Sequence, residues 1–381
     1  MSIPEISEID NIDDMLKFNI HNVDVSIVNG LRRTILSNIE TLVFKGTNDS
    51  ITIHKNTTKF NNEYMKHRLM NIPIFINDVS KFDSIVNKYI VEVNETNETL
   101  EKKYITTEHF KIKNKDTEEY LPKSEVEKIF PRDPMTNEFI LLTILYPNYN
   151  KKNEPNETLH FESNIDKGTS NENSCWNVVH NVCYENYRDI DKISQIMSSM
   201  GEQSPQEKRD FEILDAQRIY IPNKFIMRLQ SLGIFSNNEL IVKACDIIMY
   251  KLNKINEYVS GNSKLLTKDE VRFNETNGTS TQEEVEQLRQ QYCNLYIDDE
   301  FRVFELKDDD YTIGKIIEKH FNLMYGKNLD YIGFKKEHPT RKEAYIYLKY
   351  KSDVSAENIY EDFKNMIALL MKTFQTIQSK F

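Results

Sequence analysis

The sequence has little of what marks the extreme protein classes. Its 381 residues include only 10 Gly and 10 Pro, while 39% are hydrophobic, so the chain is neither collagen-like nor globally disordered. Positive charge is also in short supply, because 49 Lys and Arg face 60 Asp and Glu and leave a formal net charge of −11. Binding to nucleic acids or anionic membranes depends on neutralising phosphates. The whole surface is therefore a poor match for either partner, although a local basic patch is compatible with this balance.

Cysteine is scarce and scattered. Cys175, Cys183, Cys245 and Cys293 form no C-x-x-C pair, so they indicate neither a disulfide framework nor a four-thiolate zinc site. With His180, the first two give a C-x4-H-x2-C spacing that matches no standard zinc motif and supplies three ligands where a structural site needs four. We therefore expect no metal ion or other cofactor, and a reducing intracellular setting.

Long apolar runs are missing as well. No segment approaches about 18 consecutive apolar residues, the length that indicates a membrane span, and residues 1–14 are acidic without an apolar core. We therefore expect neither a membrane span nor a signal peptide. Glycine-rich phosphate loops, the G-x-S-x-G elbow and the H-E-x-x-H zinc motif are absent too, so the sequence nominates no catalytic residue.

An internal repeat is the most informative feature that the sequence does contain. Residues 18–36 (FNIHNVDVSIVNGLRRTIL) align with residues 304–322 (FELKDDDYTIGKIIEKHFN) at a constant offset of 286, which places Asp24 on Asp310. Each copy has the pattern of a short alternating strand, then a residue that can accept hydrogen bonds from a first helical turn, then an amphipathic helix. The repeat therefore predicts one supersecondary unit used twice.

Two longer amphipathic helices follow the repeat units. Apolar residues recur at spacings of three to four along residues 241–259 and 359–381, and the repeat helices themselves are predicted at residues 25–40 and 312–325. Either each stripe packs only on its own sheet, or the two units pack together about a pseudo-two-fold axis, which we favour. The residues expected in this internal pairing core are Leu31, Ile35, Ile248, Leu252, Ile317, Phe321, Leu370 and Phe374.

The remaining segments predict the domain organisation. Alternating runs such as NKYIVEVNE and EFILLTILY indicate a β-rich insert domain at residues 43–187, and a polar stretch indicates a linker at residues 261–290. The predicted fold class is α+β. A first pairing domain would comprise residues 1–42 and 188–260, and a second would comprise residues 291–381.

Several motifs in chain order resemble one known family. VDVSIVNGLRRTILSNIETL, NTTKFNNEYMKHRLMNIPI, GTSNENSCWNVVHNVCYE and FIMRLQSLGIFSNNELIVKACDIIMYKL are similar to the α-like subunits of cellular RNA polymerases: bacterial α, archaeal D and the third-largest eukaryotic subunit. DDDYTIGKII and LDYIGFKKEHP are similar to the smaller partner, the archaeal L or eleventh-largest type. The resemblance implies a single-chain fusion of two pairing subunits, as in some large DNA viruses, with the dimerisation fold present twice. A tether would hold the second half at a high effective concentration.

The resemblance also assigns roles to individual residues. It places the interface with other subunits at Asn29, Arg32, Arg33, Glu63, His67, Arg68 and Pro73. It places the partner-type motif at Asp310, Thr312, Gly333, His338 and Pro339.

The helix at residues 25–40 has plainer interpretations as well. Adjacent charges such as Arg32 and Arg33 are often solvated, but the guanidinium fork suits carboxylates and carbonyls at an interface. We favour an assembly contact and expect alanine at both positions to leave the fold intact. Gly30 inside this helix costs about 1 kcal/mol against Ala, which predicts the close approach of another backbone.

Two segments with acidic residues allow a metal-site interpretation. Glu63 and His67 share a helix face, but a surface or interface hydrogen bond is commoner than a metal or acid–base pair. Residues 308–310 form an acidic run of the kind that binds magnesium. Their position just before a helix favours N-capping instead.

The function that the resemblance implies is structural. The chain would be a non-catalytic assembly platform of a multisubunit DNA-directed RNA polymerase, docking the largest and second-largest subunits, which hold the catalytic residues of this nucleotidyltransferase complex. Small zinc-binding subunits would also dock on it, and DNA and RNA would be reached only through the complex. We expect an intracellular location: the host cytoplasm and virion for viral transcription, otherwise the nucleus.

Two alternatives come from other functional classes. One is a metal-dependent hydrolase in the insert, using Cys175, His180, Cys183 or His160. The other is a free-standing nucleic-acid-binding module built on a reused pairing fold.

Overall fold

The computed structural model describes residues 3–12, 14–147, 156–200, 204–261, 265–268, 292–307 and 309–381. The chain divides into two compact units. Unit 1 is formed by residues 1–35, 181–230 and 237–381, and unit 2 by residues 36–180 and 231–236. Unit 2 covers nearly the same residues as the predicted insert. Most of the predicted linker lies outside the described residues.

Helices and strands are mixed along the chain, and the predicted α+β class is confirmed. The strands are β1 (Glu5–Ile12), β2 (Met15–His21), β3 (Glu40–Val43), β4 (Ile51–Asn56), β5 (Tyr89–Thr96), β6 (Lys103–Thr106), β7 (Lys111–Asn114), β8 (Leu141–Leu145), β9 (Thr158–Asn164), β10 (Asp166–Thr169), β11 (Val179–Arg188), β12 (Tyr220–Ser231), β13 (Leu266–Thr267), β14 (Cys293–Asp298), β15 (Phe301–Leu306), β16 (Leu329–Lys335) and β17 (Ala344–Tyr350). The helices are α1 (Val25–Ser37), α2 (Asn62–Met70), α3 (Phe82–Lys88), α4 (Lys123–Ile129), α5 (Ile190–Ser199), α6 (Pro205–Ile213), α7 (Asn237–Gly261), α8 (Tyr311–Tyr325) and α9 (Ala356–Gln378).

The N-terminal half of unit 1 is a four-stranded sheet with helices between and after its strands. Its strand order is β1-β2-β12-β11, and Ile20 of β2 lies opposite Ile6 on one side and Phe225 on the other. Asp24 then starts α1, because its Oδ1 accepts a hydrogen bond from the backbone N–H of Ser26 at 2.9 Å. Such a bond satisfies one of the free N–H groups of the first turn.

The C-terminal half of unit 1 repeats this construction. Its strand order is β13-β14-β15-β17-β16, and Phe304 of β15 lies opposite Leu295 and Ile346. Asp310 starts α8 in the same way, accepting a hydrogen bond from the Thr312 N–H at 2.8 Å. The helix begins at Tyr311, one residue before the predicted start.

The two halves share one topology. The order β1-β2-β12-β11 corresponds to β14-β15-β17-β16, with α1 and α7 in the places of α8 and α9. The strand register corresponds too, since Lys17 lies opposite Asp10 and its counterpart Val303 lies opposite Tyr296, the counterpart of Asp10 at the same offset. A repeat visible in the sequence as one strand and one helix thus extends over four strands and two helices.

The core of unit 1 draws on both halves. The helices α7 and α9 pack against each other, and the Asp246 carboxylate accepts a hydrogen bond from Gln378 Nε2 at 2.6 Å. The Phe381 ring meets Phe18 edge-on, with 4.9 Å between centroids. Burial of each large apolar side chain contributes roughly 1.5–3 kcal/mol. All the residues predicted for the pairing core are at most 1% exposed: Leu31, Ile35, Ile248, Leu252, Ile317, Phe321, Leu370 and Phe374.

Unit 2 is built mainly from strands. Its sheets have the orders β4-β9-β5-β7, β3-β10 and β6-β8. An aromatic core lies beneath them, in which Phe110 meets Phe130 at 5.1 Å and both lie near Phe44. Among the helices that the structure describes, none is both long and apolar enough to cross a membrane.

Candidate functional site

The helices α1 and α8 cross at equivalent positions of the repeat. A Cβ atom added to Gly30 would lie 2.6 Å from Ile316 Cδ1, and residues 30 and 316 are separated by the repeat offset. The close approach predicted at Gly30 is thus present, but a side chain makes it and not the backbone that we expected.

Reciprocal ion pairs flank this crossing. The Arg33 guanidinium forms an ion pair with Asp310, and its Nε donates to Thr312 Oγ1 at 2.9 Å. On the other side, Lys319 Nζ lies 3.9 Å from Asp24 Oδ2. Residue 33 corresponds to 319 and residue 24 to 310, so each helix directs a cation at the cap of the other. Such reciprocity is the signature of an isologous, two-fold contact.

The Asp310 carboxylate combines two tasks. Burial disfavours the charged form of this carboxylate. The hydrogen bonds from the Thr312 backbone and side chain, together with the charge of Arg33, favour that form more strongly. The pKa of Asp310 therefore lies below its usual value. The group therefore stays ionised near neutral pH, where it caps α8 and binds Arg33 together.

A third ion pair joins the halves through Asp309. Its side chain is 1% exposed, lies 3.0 Å from Lys251 Nζ on α7, and accepts a hydrogen bond from the Tyr292 hydroxyl. The acidic run at residues 308–310 thus supplies one cap and one buried ion pair, while Asp308 lies outside the described residues. The predicted N-cap is thus present at Asp310.

The partner-type motif lies in and beside this interface. A Cβ at Gly314 of α8 would collide with the Phe334 ring at 2.0 Å, so Gly333 and Phe334 of β16 approach the start of the helix. His338 and Pro339 are exposed in the loop that follows, and His338 Nδ1 lies 2.7 Å from Thr340 Oγ1.

The residues assigned to a contact with other subunits differ in their exposure and in their hydrogen-bond partners. On α1, Asn29 and Arg32 are half-buried and bonded together, with Arg32 Nε donating to Asn29 Oδ1 at 3.0 Å. Arg33 instead bonds within unit 1, as described above. Alanine at position 33 would therefore remove a partner of Asp310 and Thr312, whereas our expectation that the double variant stays folded remains a prediction.

In unit 2 the assigned residues lie on α2 or just after it. Glu63 and His67 are exposed, and the Glu63 carboxylate lies 3.0 Å from Lys66 Nζ. Arg68 turns inward to donate to the carbonyl oxygens of Leu142 at 2.6 Å and Leu141 at 2.9 Å. Pro73, which follows the helix, is half-buried. The carboxylate of Glu63 and the imidazole of His67 are thus accessible at the surface of unit 2, while Arg68 holds α2 to β8.

The four cysteines are all free. Cys245 and Cys293 are buried, and burial raises the pKa of Cys245 to about 12. Cys175 and Cys183 are half-buried, and His180 is exposed. Among the described residues, the side chains whose donor atoms lie close enough to share a metal ion are His54, His160 and Glu162, not the Cys175, His180 and Cys183 group.

Sequence reasoning missed the Lys319–Asp24 and Lys251–Asp309 pairs. The repeat offset contained a signal for the first, because it aligns Arg33 with Lys319 and Asp24 with Asp310. No comparable signal marked the second, nor the grouping of His54 with His160, since those residues are far apart in the chain.

Comparison with known proteins shows the family of this chain. The family model of the RNA polymerase Rpb3/Rpb11 dimerisation domain matches residues 17–252, which is more than half of the chain. A conjugation stage-specific protein of Tetrahymena thermophila is 27% identical over 185 residues, 43% of this chain and 53% of that protein. Subunit 3 of DNA-directed RNA polymerases II, IV and V of Arabidopsis thaliana is 37% identical over 62 residues, 16% of this chain and 18% of that protein.

The chain thus spans about half the length of the first relative and less than a fifth of the second. The family match covers the repeat unit that carries α1 and α7, together with unit 2. The chain therefore belongs to the RNA polymerase Rpb3/Rpb11 dimerisation domain family.

Proposed function

We propose that this protein is a non-catalytic assembly platform of a multisubunit DNA-directed RNA polymerase. Membership of a polymerase dimerisation family supports this role, and so does the short alignment with a plant polymerase subunit 3. Catalysis would belong to the largest and second-largest subunits, which the platform would hold in position.

The pairing that separate subunits make in relatives would here be made within one chain. The observation that carries this proposal is the reciprocal contact of Arg33 with Asp310 and of Lys319 with Asp24. The C-terminal half of unit 1 lies beyond the matched residues 17–252, yet it has the strand order and the cap of the first half. It would therefore play the part of the smaller, eleventh-largest subunit type, as the fused architecture of some large DNA viruses would require.

Docking of the large subunits would use the residues left accessible by the fold. Glu63 and His67 on α2 are exposed, and Arg32 on α1 is half-buried. Small zinc-binding subunits would add to the platform, with DNA and RNA contacted only through the complex. The site of action would be the host cytoplasm and virion for a viral protein, and the nucleus otherwise.

The experiment is affinity purification of the tagged full chain from its native cell or virion at high salt, followed by mass spectrometry. We expect two very large chains in equal amounts and template-dependent RNA synthesis by the eluate. Recovery of the chain alone, or with an unrelated set of partners, would overturn the assignment.

A further inference from the structure

One face of the β4-β9-β5 sheet in unit 2 carries a group of imidazoles and carboxylates. His160 and Glu162 lie two residues apart on β9, so their side chains leave the same face. Glu92 of β5 is directly opposite Glu162. His54 sits at the register shift of β4 between Ile53 and Lys55, and the shift brings its ring beside that of His160. His54, His160 and Glu162 thus lie close enough together to share one metal ion, and Glu92 lies beside His160.

The distances within this group suit a shared metal ion better than direct hydrogen bonds. His54 Nε2 lies 3.6 Å from Glu162 Oε2, and His160 Nε2 lies 3.6 Å from Glu92 Oε1. These separations exceed a normal N–H···O bond. Two ligand atoms about 2.0–2.1 Å from one tetrahedral zinc ion would be roughly 3.3 Å apart. The donor atoms of His54, His160 and Glu162 all lie within 4.8 Å of one another.

Neighbouring side chains orient Glu92. The Tyr120 hydroxyl donates to Glu92 Oε2 at 2.5 Å, which leaves Oε1 directed toward His160. The Glu92 side chain is only 13% exposed. A carboxylate held beside a ligating histidine is the usual second layer of a metal site.

We propose that His54, His160 and Glu162 form a zinc-binding site, with Glu92 beside His160. Two imidazole nitrogens with a carboxylate oxygen favour a borderline transition-metal ion over magnesium or calcium, which prefer sets made of oxygen alone. Three protein ligands leave the fourth position of a tetrahedral shell to water or another ligand. The ion would join β4 to β9 and would stabilise unit 2. This role is independent of the polymerase assignment.

The test uses the full chain, stripped of metal with a chelator and then titrated with Zn²⁺ against a chromophoric competitor. A parallel titration with Co²⁺ reports ligand geometry through visible absorption. We expect one equivalent of tightly bound Zn²⁺, a tetrahedral Co²⁺ spectrum, and a Zn²⁺-dependent rise in the unfolding temperature.

Matched variants locate the site. His54→Asn and His160→Asn should each weaken Zn²⁺ binding by at least about tenfold and abolish the Co²⁺ spectrum, and Tyr120→Phe should weaken binding by about tenfold through the outer hydrogen bond. His180→Asn is the control, because His180 is an exposed histidine in the same unit, and it should bind as the wild type does. Glu162→Gln, which keeps the shape of the side chain, provides a second ligand variant should a histidine variant fail to fold.

Three results would overturn the site. They are a wild-type chain that binds no Zn²⁺, ligand variants that bind Zn²⁺ as tightly as the wild type, and loss of binding in His180→Asn alone.

Discussion

At the residue scale, Gly30 shows how little room the crossing of α1 and α8 leaves. Gly30→Val should lower the free energy of unfolding by about 1–3 kcal/mol through overpacking against Ile316. Gly30→Ala should change it less, because the better helix propensity of Ala offsets part of the crowding. Urea unfolding of the variants measures both effects.

The control for this prediction is Gly261→Val at the end of α7. A Cβ there would meet nothing within 4 Å, so the midpoint should move by less than it does for Gly30→Val. Adding Ile316→Val to Gly30→Val should restore part of the lost stability, since the two side chains share one space. Independent, additive effects would show that the crossing is looser than described.

The buried His320 gives unit 1 a dependence on pH. Burial lowers the pKa of His320 below its usual 6.5, against the hydrogen bond between Nδ1 and the Ile316 carbonyl at 2.8 Å. The unfolded chain therefore binds a proton at a higher pH than the folded chain does. Stability is fully present above pH 6.5 and falls as the pH drops from 6.5 toward the lowered pKa.

His320→Gln isolates this contribution, because Gln can still donate a hydrogen bond but does not titrate. The wild type should lose more stability than the variant between pH 7 and pH 5.5 in urea unfolding. Parallel pH profiles of the two proteins would show that His320 titrates alike in the folded and unfolded chains.

At the element scale, the caps of α1 and α8 are the units that the repeat duplicates. Asp24→Ala and Asp310→Ala should each cost about 1 kcal/mol of stability through the lost cap. The corresponding Asn variants keep the cap and lose the charge, so they should cost less, because partly exposed ion pairs contribute only about 0–1 kcal/mol. Equal losses for Ala and Asn at either position would mean that charge, and not capping, is what the aspartates provide.

The elements of unit 1 were largely predictable because the repeat preserves apolar spacing and a capping aspartate. The end of α1 was not: the helix stops at Ser37 and not at residue 40. There the Ser37 hydroxyl donates to Asn38 Oδ1 at 3.0 Å, and β3 begins at Glu40. In unit 2, residues 103–114 form β6, a 3-10 turn at Thr107–His109 and β7, and alternation of apolar residues does not indicate where such a turn falls.

The candidate sites were predictable only in part. Arg33 contacts Asp310 because of the way in which α1 and α8 cross. Sequence spacing carries no information about the angle or position at which two helices cross. The group of His54, His160 and Glu92 depends on strand order and on one register shift. Alternation along β9 alone indicated that His160 and Glu162 share a face.

At the scale of the whole molecule, docking on other polymerase subunits should depend on residues that the fold itself does not use. Glu63→Ala combined with His67→Ala should change the stability of the chain by no more than about 0.5 kcal/mol, because both residues are exposed. Capture of the second-largest subunit should fall at least about fivefold, the effect of losing more than about 1 kcal/mol at an interface.

The matched control changes another exposed pair at the same helical spacing in the same unit, Lys123→Ala with Glu127→Ala on α4. It should leave capture unchanged. Equal capture by all three proteins would remove α2 from the docking surface.

The most direct test of the central claim is the subunit stoichiometry of the purified polymerase, measured by quantitative mass spectrometry on the complex captured through this chain. If the two halves of unit 1 pair within one polypeptide, the complex should contain one copy of this chain for each largest and second-largest subunit, and no separate subunit of the eleventh-largest type. A second copy of the chain, or a separate small pairing subunit in equal amount, would contradict intramolecular pairing.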